Sequence, residues 1–188
     1  MASRLKILAV VYATLFFFPY GYAKDHTDRE KQLKAVYLVH FAELTQWPEV
    51  PAHQEQFTIC VLGNRLISEY LREFEAEMIS GKPLSVRHLE TIDHLQGCRI
   101  IYLQGNKQNL LTSVIESLGQ QPVLLVGDSR DFAVQGGGIG FHILENKIKL
   151  VINLTRVNER GLKISSKLLR LAEILAPSIK PRSADFER

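Results

Sequence analysis

The sequence predicts one α/β domain: a layered sheet, mostly parallel, with a C-terminal antiparallel hairpin and helices on both faces. Three observations predict it. Short apolar runs alternate along the chain with segments whose apolar residues fall at helical spacing, the pattern of crossover units. Ile139, Phe141 and Ile143, then Ile148, Leu150, Ile152 and Leu154, alternate with small or polar residues, the period of half-buried strands. A turn at Glu145-Asn146 would set Ile143 opposite Ile148, Phe141 opposite Leu150 and Ile139 opposite Ile152. That single register gathers the large apolar side chains on one face.

The elements follow in order. From Glu30 to Gln46, Leu33, Val36, Tyr37, Phe41 and Leu44 fall at helical spacing, and Trp47-Pro48 ends the helix because proline disfavours helical geometry in the residue before it. Phe57–Leu62 reads as a buried strand closed by Gly63. Leu66–Met78 carries a stripe of Leu66, Ile67, Tyr70, Leu71, Phe74 and Met78, so it reads as a helix, broken by Gly81-Lys82-Pro83. Leu84–Arg87, Arg99–Leu103 and Val123–Val126 are further strands, with a connection at Asp93–Gly97. Gln108–Leu118 is a helix with Gly119 placed to end it, and Phe132–Gln135 is at most a helical turn. A last helix is expected at Ser165–Leu175. Its stripe of Leu168, Leu171, Ala172 and Leu175 would face the core, leaving Leu162, Ile164 and Leu169 either as an exposed apolar patch or as further core residues.

The N-terminus reads as an export signal. Arg4 and Lys6 precede an apolar run from Ile7 to Phe18, and Gly21-Tyr22-Ala23 supplies the small residues of a cleavage site, so residues 1–23 are expected to be removed and 24–188 to form the domain. The run is shorter than the roughly 20 apolar residues that span a bilayer. Of the 23 basic side chains, 21 then remain against 20 acidic ones, a net of +1. That balance gives no electrostatic argument for nucleic acid. Cys60 and Cys98 are an even count in an oxidising compartment, which favours one disulfide, although two buried thiols would suit the same apolar positions.

The chain offers little for catalysis. The run Gly136-Gly137-Gly138-Ile139-Gly140 leads into a strand, whereas a phosphate loop leads into a helix, so it reads as backbone freedom for a turn or bulge. The six histidines form no His-x-x-x-His or Glu-x-x-His pair, and there is no Gly-x-Ser-x-Gly elbow; no metal, cofactor or catalytic residue is expected. Asp128 and Asp131 follow the fourth strand at the edge where ligands bind parallel sheets, which makes them a candidate ligand cleft. The competing role is that Asp128 or Ser129 caps the short helix that follows.

The block from Gly136 to Leu171 resembles the closing motif of the YfiR family of bacterial periplasmic regulators. Three earlier pieces share the resemblance in order: Lys34–Leu38 through Trp47-Pro48, Phe57–Gly63, and Gly97–Leu103. Pro122–Leu124 and Phe132-Ala133 before the glycines continue it. In that family the positions matching Cys60 and Cys98 are disulfide partners. A further cysteine pair found near the hairpin of some relatives is absent here, which leaves no second bridge for redox control.

The resemblance implies a non-catalytic, periplasmic repressor. Its partners would be the periplasmic domain of an inner-membrane diguanylate cyclase and an outer-membrane-associated lipoprotein that sequesters the repressor under envelope stress. A homodimer is also implied. Two other roles fit the same residues: a periplasmic small-molecule sensor using the Asp128 cleft, and a regulator of a sensor kinase.

Overall fold

The computed structural model describes residues 22–49, 54–63 and 65–175, with side chains from residue 28 onward. The expected export signal, 1–23, lies outside them but for the backbone of Tyr22 and Ala23. No helix among the described residues is long and apolar enough to cross a membrane. The first helix, α1, runs Tyr22–Glu43. Its buried face is Ala35, Leu38, Phe41 and Ala42, so alanines take part in the stripe and Leu33 stays 45% exposed. The helix stops where the chain turns into β1 (Thr45–Gln46), and the Trp47 indole N–H donates to the Ala42 carbonyl at 2.9 Å, taking up one of the acceptors that every helix end leaves open.

The next strand, β2 (Phe57–Leu62), spans the residues its apolar run predicts. Helix α2 covers only Arg65–Arg72, shorter than the expected Leu66–Met78. Beyond Arg72 the chain finds better partners: Ala76 N–H donates to the Leu84 carbonyl at 3.1 Å and Leu84 N–H to the Glu77 carbonyl at 2.8 Å. Met78 therefore lies in a two-residue strand, β3 (Met78–Ile79), and is 63% exposed. Strand β4 (Lys82–Leu89) is longer at both ends than Leu84–Arg87, and a 3-10 turn (Ile92–His94) leads to β5 (Cys98–Leu103).

A second 3-10 turn (Gly105–Leu110) opens α3 (Leu111–Leu118), with Gly119 at its end, and β6 spans Leu124–Gly127. Ser129 caps α4 (Arg130–Val134), its hydroxyl accepting from Phe132 N–H at 3.1 Å. The glycines that follow serve close approach more than turning. A Cβ at Gly137 would strike the Phe132 ring, and one at Gly140 the Ser129 carbonyl oxygen, so α4 could not lie against the sheet. Strands β7 (Ile139–Leu144) and β8 (Lys147–Ile152) pair in the expected register, Ile143 with Ile148, Phe141 with Leu150, Ile139 with Ile152. Glu145 and Asn146 hold φ of 51° and 58°, the two positive values of a type I′ turn.

Leu154 does not extend β8. Asn153 caps α5 (Leu154–Glu159), its side-chain oxygen accepting from Arg156 N–H at 3.1 Å. Strand β9 (Lys163–Ile164) pairs antiparallel with β1. The expected helix Ser165–Leu175 is a single turn, α6 (Ser166–Leu169), because Ala172–Ile174 becomes β10 and pairs in parallel with β8. Ladder bonds to an existing strand outweigh the helical pattern of a short leucine run.

The large sheet has the order β10-β8-β7-β6-β5-β2-β4-β3. The central neighbours β4, β2, β5, β6 and β7 run parallel, as the alternating pattern predicts. Helix α1 packs on one face over Ile59, Ile100, Tyr102 and Phe141; α3 covers the other over Ile101, Leu103 and Leu125. On the α1 face Tyr37, Phe41, Tyr102 and Phe141 form an aromatic cluster with ring centroids 5.7 to 6.1 Å apart. Phe141 belongs to three of its four pairs. Phe141→Ala is expected to lower unfolding free energy by about 3–5 kcal/mol in urea denaturation.

Candidate functional site

Asp128 follows β6, at the carboxyl edge of the parallel strands, but it is not free to take a ligand. One carboxylate oxygen accepts from Lys34 Nζ at 2.8 Å and from the Tyr102 hydroxyl; the other accepts from Gly105 N–H at 3.1 Å. The Asp128 backbone N–H donates to the Gln108 side-chain oxygen at 3.0 Å, and that oxygen also accepts from the Ser129 hydroxyl. Lys34 is buried and reaches Glu30 at 2.5 Å as well. The expected cleft of Asp128 and Asp131 is thus a filled polar knot, with Asp131 exposed in the first turn of α4.

The knot shifts both of its proton donors. Burial disfavours the Lys34 ammonium, but the Asp128 charge and the bonds to Asp128 and Glu30 outweigh it and raise the pKa above 10.5. Burial, with the adjacent Asp128 charge, holds the Tyr102 phenol well above its ordinary 10.0.

The C-terminal segment does not offer the expected patch. Leu162 is fully buried, and Ile164 and Leu169 are half-buried against the same core. The β1–β9 pairing and the Ser165 N–H bond to the Leu44 carbonyl (2.8 Å) draw this segment onto the end of α1. Leu171, expected in the core, is 67% exposed.

An apolar surface does appear where α1 passes the tip of the hairpin. Phe141 belongs to the aromatic cluster and Ile139 is buried with it, but β7 and β8 run on beyond it, leaving Ile143 44% exposed and Ile148 half-buried. Leu33 stands one helical turn before Tyr37, on the same side of α1. These four side chains floor a groove of about 560 Å³, with Arg29, Glu30 and Lys147 at its margin. The signal in the sequence was the alternation itself, which continues past the length that α1 can cover.

The YfiR/HmsC-like family matches residues 31–173, most of the described chain. The chain belongs to this family. YfiR/HmsC-like proteins are periplasmic, regulatory and non-catalytic, so a periplasmic regulatory role in general terms follows. Among solved structures, a conserved domain protein of Vibrio cholerae O1 biovar El Tor matches with a TM-score of 0.52 and 14% identity, over 74% of this chain and 59% of that one. That likeness is one of fold, and this chain spans less than two thirds of that protein. The ABC domain of a Streptococcus pneumoniae protein in complex with L-Trp matches with a TM-score of 0.47 and 12% identity, over 63% of this chain and 56% of the other. No match was found among curated proteins.

As the YfiR-like cysteine pattern implies, Cys60 of β2 and Cys98 of β5 are joined in a disulfide, which fits an oxidising compartment. It lies on the α3 side of the sheet, buried beneath Arg87 of β4, whose guanidinium donates to Cys98 Sγ at 3.0 Å and to the Gln96 carbonyl at 2.6 Å. Among the described residues no three His, Cys, Asp or Glu side chains form a group that could hold a metal.

Two outcomes are expected. Because the folded chain keeps the protons of Tyr102 and Lys34 to higher pH than the unfolded chain does, unfolding free energy should fall once pH rises above the ordinary values of 10.0 and 10.5. Urea melts from pH 8 to 11 should show that loss, with a shallower slope in Tyr102→Phe. Removing the bridge with Cys60→Ala/Cys98→Ala opens a loop of 38 residues and should cost about 4 kcal/mol in the chain-entropy account.

Proposed function

We propose that this YfiR/HmsC-like protein represses an inner-membrane diguanylate cyclase by binding the periplasmic domain of that enzyme, and that an outer-membrane-associated lipoprotein relieves repression by sequestering it. The observation that carries this reading is family membership over residues 31–173. The cyclic dinucleotide is made in the cytoplasm, so the repressor needs a surface for a protein and no nucleotide site. Repression then requires tighter binding to the inactive cyclase than to the active one.

The groove of α1 and the hairpin is the surface we assign to the cyclase. It combines exposed Leu33 and Ile143 with a fixed aromatic neighbour, Tyr37, and charged margins, the arrangement of an interface with an apolar centre and a polar rim. Deleting the gene in a strain that expresses the cyclase should raise cyclic-di-GMP. Leu33→Asp and Ile143→Asp should each weaken cyclase binding by about 30-fold and raise the dinucleotide toward the deletion level, with periplasmic abundance unchanged. An unchanged dinucleotide level in the deletion strain would sink the repressor reading. Full repression by both charge variants would move the contact elsewhere.

A further inference from the structure

Arg99 is the one charged residue in the otherwise uncharged strand β5, and the strand is distorted around it. Thr58 of β2 pairs with Cys98 and Ile59 with Ile100, so Arg99 is an extra residue, a bulge in the ladder. Cys98 keeps its place on the disulfide side and Ile100 its place under α1. The bulge takes Arg99 out of this alternation and aims it at the chain leaving α1, where its guanidinium donates to the Pro48 carbonyl at 3.3 Å and lies 5.3 Å from the centre of the Trp47 ring.

Arg99 is 5% exposed, yet its hydrogen-bond partner is a carbonyl and no carboxylate pairs with it among the described residues. A guanidinium carries five N–H donors, and a buried cation without a counter-charge is costly. Burial alone draws the Arg99 pKa below the ordinary guanidinium value. Beside it is a cavity of about 320 Å³, lined by Trp47, Gln56, Phe57, Lys82 and Arg99 among others. The Lys82 ammonium, donating to the Gln54 carbonyl, is a second cation at this wall, and among the described residues Glu49 is the one acidic residue on it. We propose that this cavity binds a small oxyanion, a carboxylate or phosphate group, that pairs with the Arg99 guanidinium. Paired N–H groups of a guanidinium match two oxygens of either group, and the Lys82 charge favours the same sign. The regulator would then have a chemical input separate from its cyclase surface, and the site stands whether or not the client is a cyclase.

Trp47 is the only tryptophan of the chain, so fluorescence under tryptophan-selective excitation, which leaves the tyrosines silent, reports on this cavity. The full exported chain is titrated with succinate and, separately, with inorganic phosphate, each against chloride at constant ionic strength. A saturable change with either anion is expected, and which anion gives it identifies the group recognised. Arg99→Met should weaken that response by roughly tenfold or more while leaving the anion-free melting temperature unchanged or higher, because an unpaired buried charge has been removed. Gln56→Glu, an isosteric change at an exposed lining residue, adds a negative charge and should weaken the response several-fold even if Arg99→Met fails to fold. No saturable response in the wild-type chain beyond that of chloride overturns the proposal. So does an unaltered response in Gln56→Glu, or a folded Arg99→Met that melts lower and responds as the wild type does, because Arg99 would then be a strut between Pro48 and Trp47.

Discussion

The arrangement of this protein depends on one carboxylate. Asp128 receives the Lys34 ammonium from α1, the Tyr102 hydroxyl from β5 and the Gly105 N–H from the turn beyond β5, joining three segments, the farthest 94 residues away in sequence. Apolar burial beneath α1 is larger in sum but does not point, and a helix can slide on an apolar sheet with little loss. The ionic knot does point. Taking away one partner of a buried pair costs about 3–5 kcal/mol, since it leaves the other charge uncompensated. It therefore fixes where along the sheet α1 sits. Tyr37 lies one turn beyond Lys34, and Lys34 Nζ is 5.7 Å from the centre of the Phe141 ring, so the aromatic cluster and the hairpin groove inherit their spacing from the same contact.

Most of the sheet was legible in the sequence because its strands are short and apolar or strictly alternating. Phe57–Leu62 was bounded to the residue, and the hairpin register followed from the requirement that Ile139, Phe141, Leu150 and Ile152 share a face. Segments that tertiary pairing decides were not legible. Residues 73–79 and 172–174 have apolar residues at helical spacing, but Leu84 and β8 offer them backbone partners that no local pattern announces. The core face of α1 was misplaced because Ala35 and Ala42 count little on a hydrophobic scale but fit closely under a sheet.

The candidate sites divide in the same way. Asp128 was singled out by its place after a parallel strand, yet its role came from donors remote in sequence, which turn a presumed cleft into a joint. After the hairpin, the β1–β9 pairing makes Leu162 core and leaves Ile164 and Leu169 half-buried, which no local pattern decides. Leu33 falls in the apolar helical spacing of α1 and yet lies at the surface. Arg99 stood in plain view as the single charge in an apolar run, and only the ladder shift between Thr58 and Ile59 shows that the strand is deformed to place it. The family resemblance was readable because its pieces recur in order along nearly the whole domain, a stronger signal than any one of them.

The edges of the sheet bear on how such a regulator can be recognised. Its outermost strands, β3 and β10, are two and three residues long. A partner that extends a sheet by adding its own strand needs a row of open backbone donors and acceptors, and β3 and β10 themselves are too short to offer one. Backbone augmentation is indifferent to sequence, so a long edge would invite unrelated chains as readily as the right one. Where β3 and β10 end the sheet, a partner must read side chains. Specificity then lies in shape and charge, which single substitutions can alter, so closely related regulators can diverge in their clients without changing the fold.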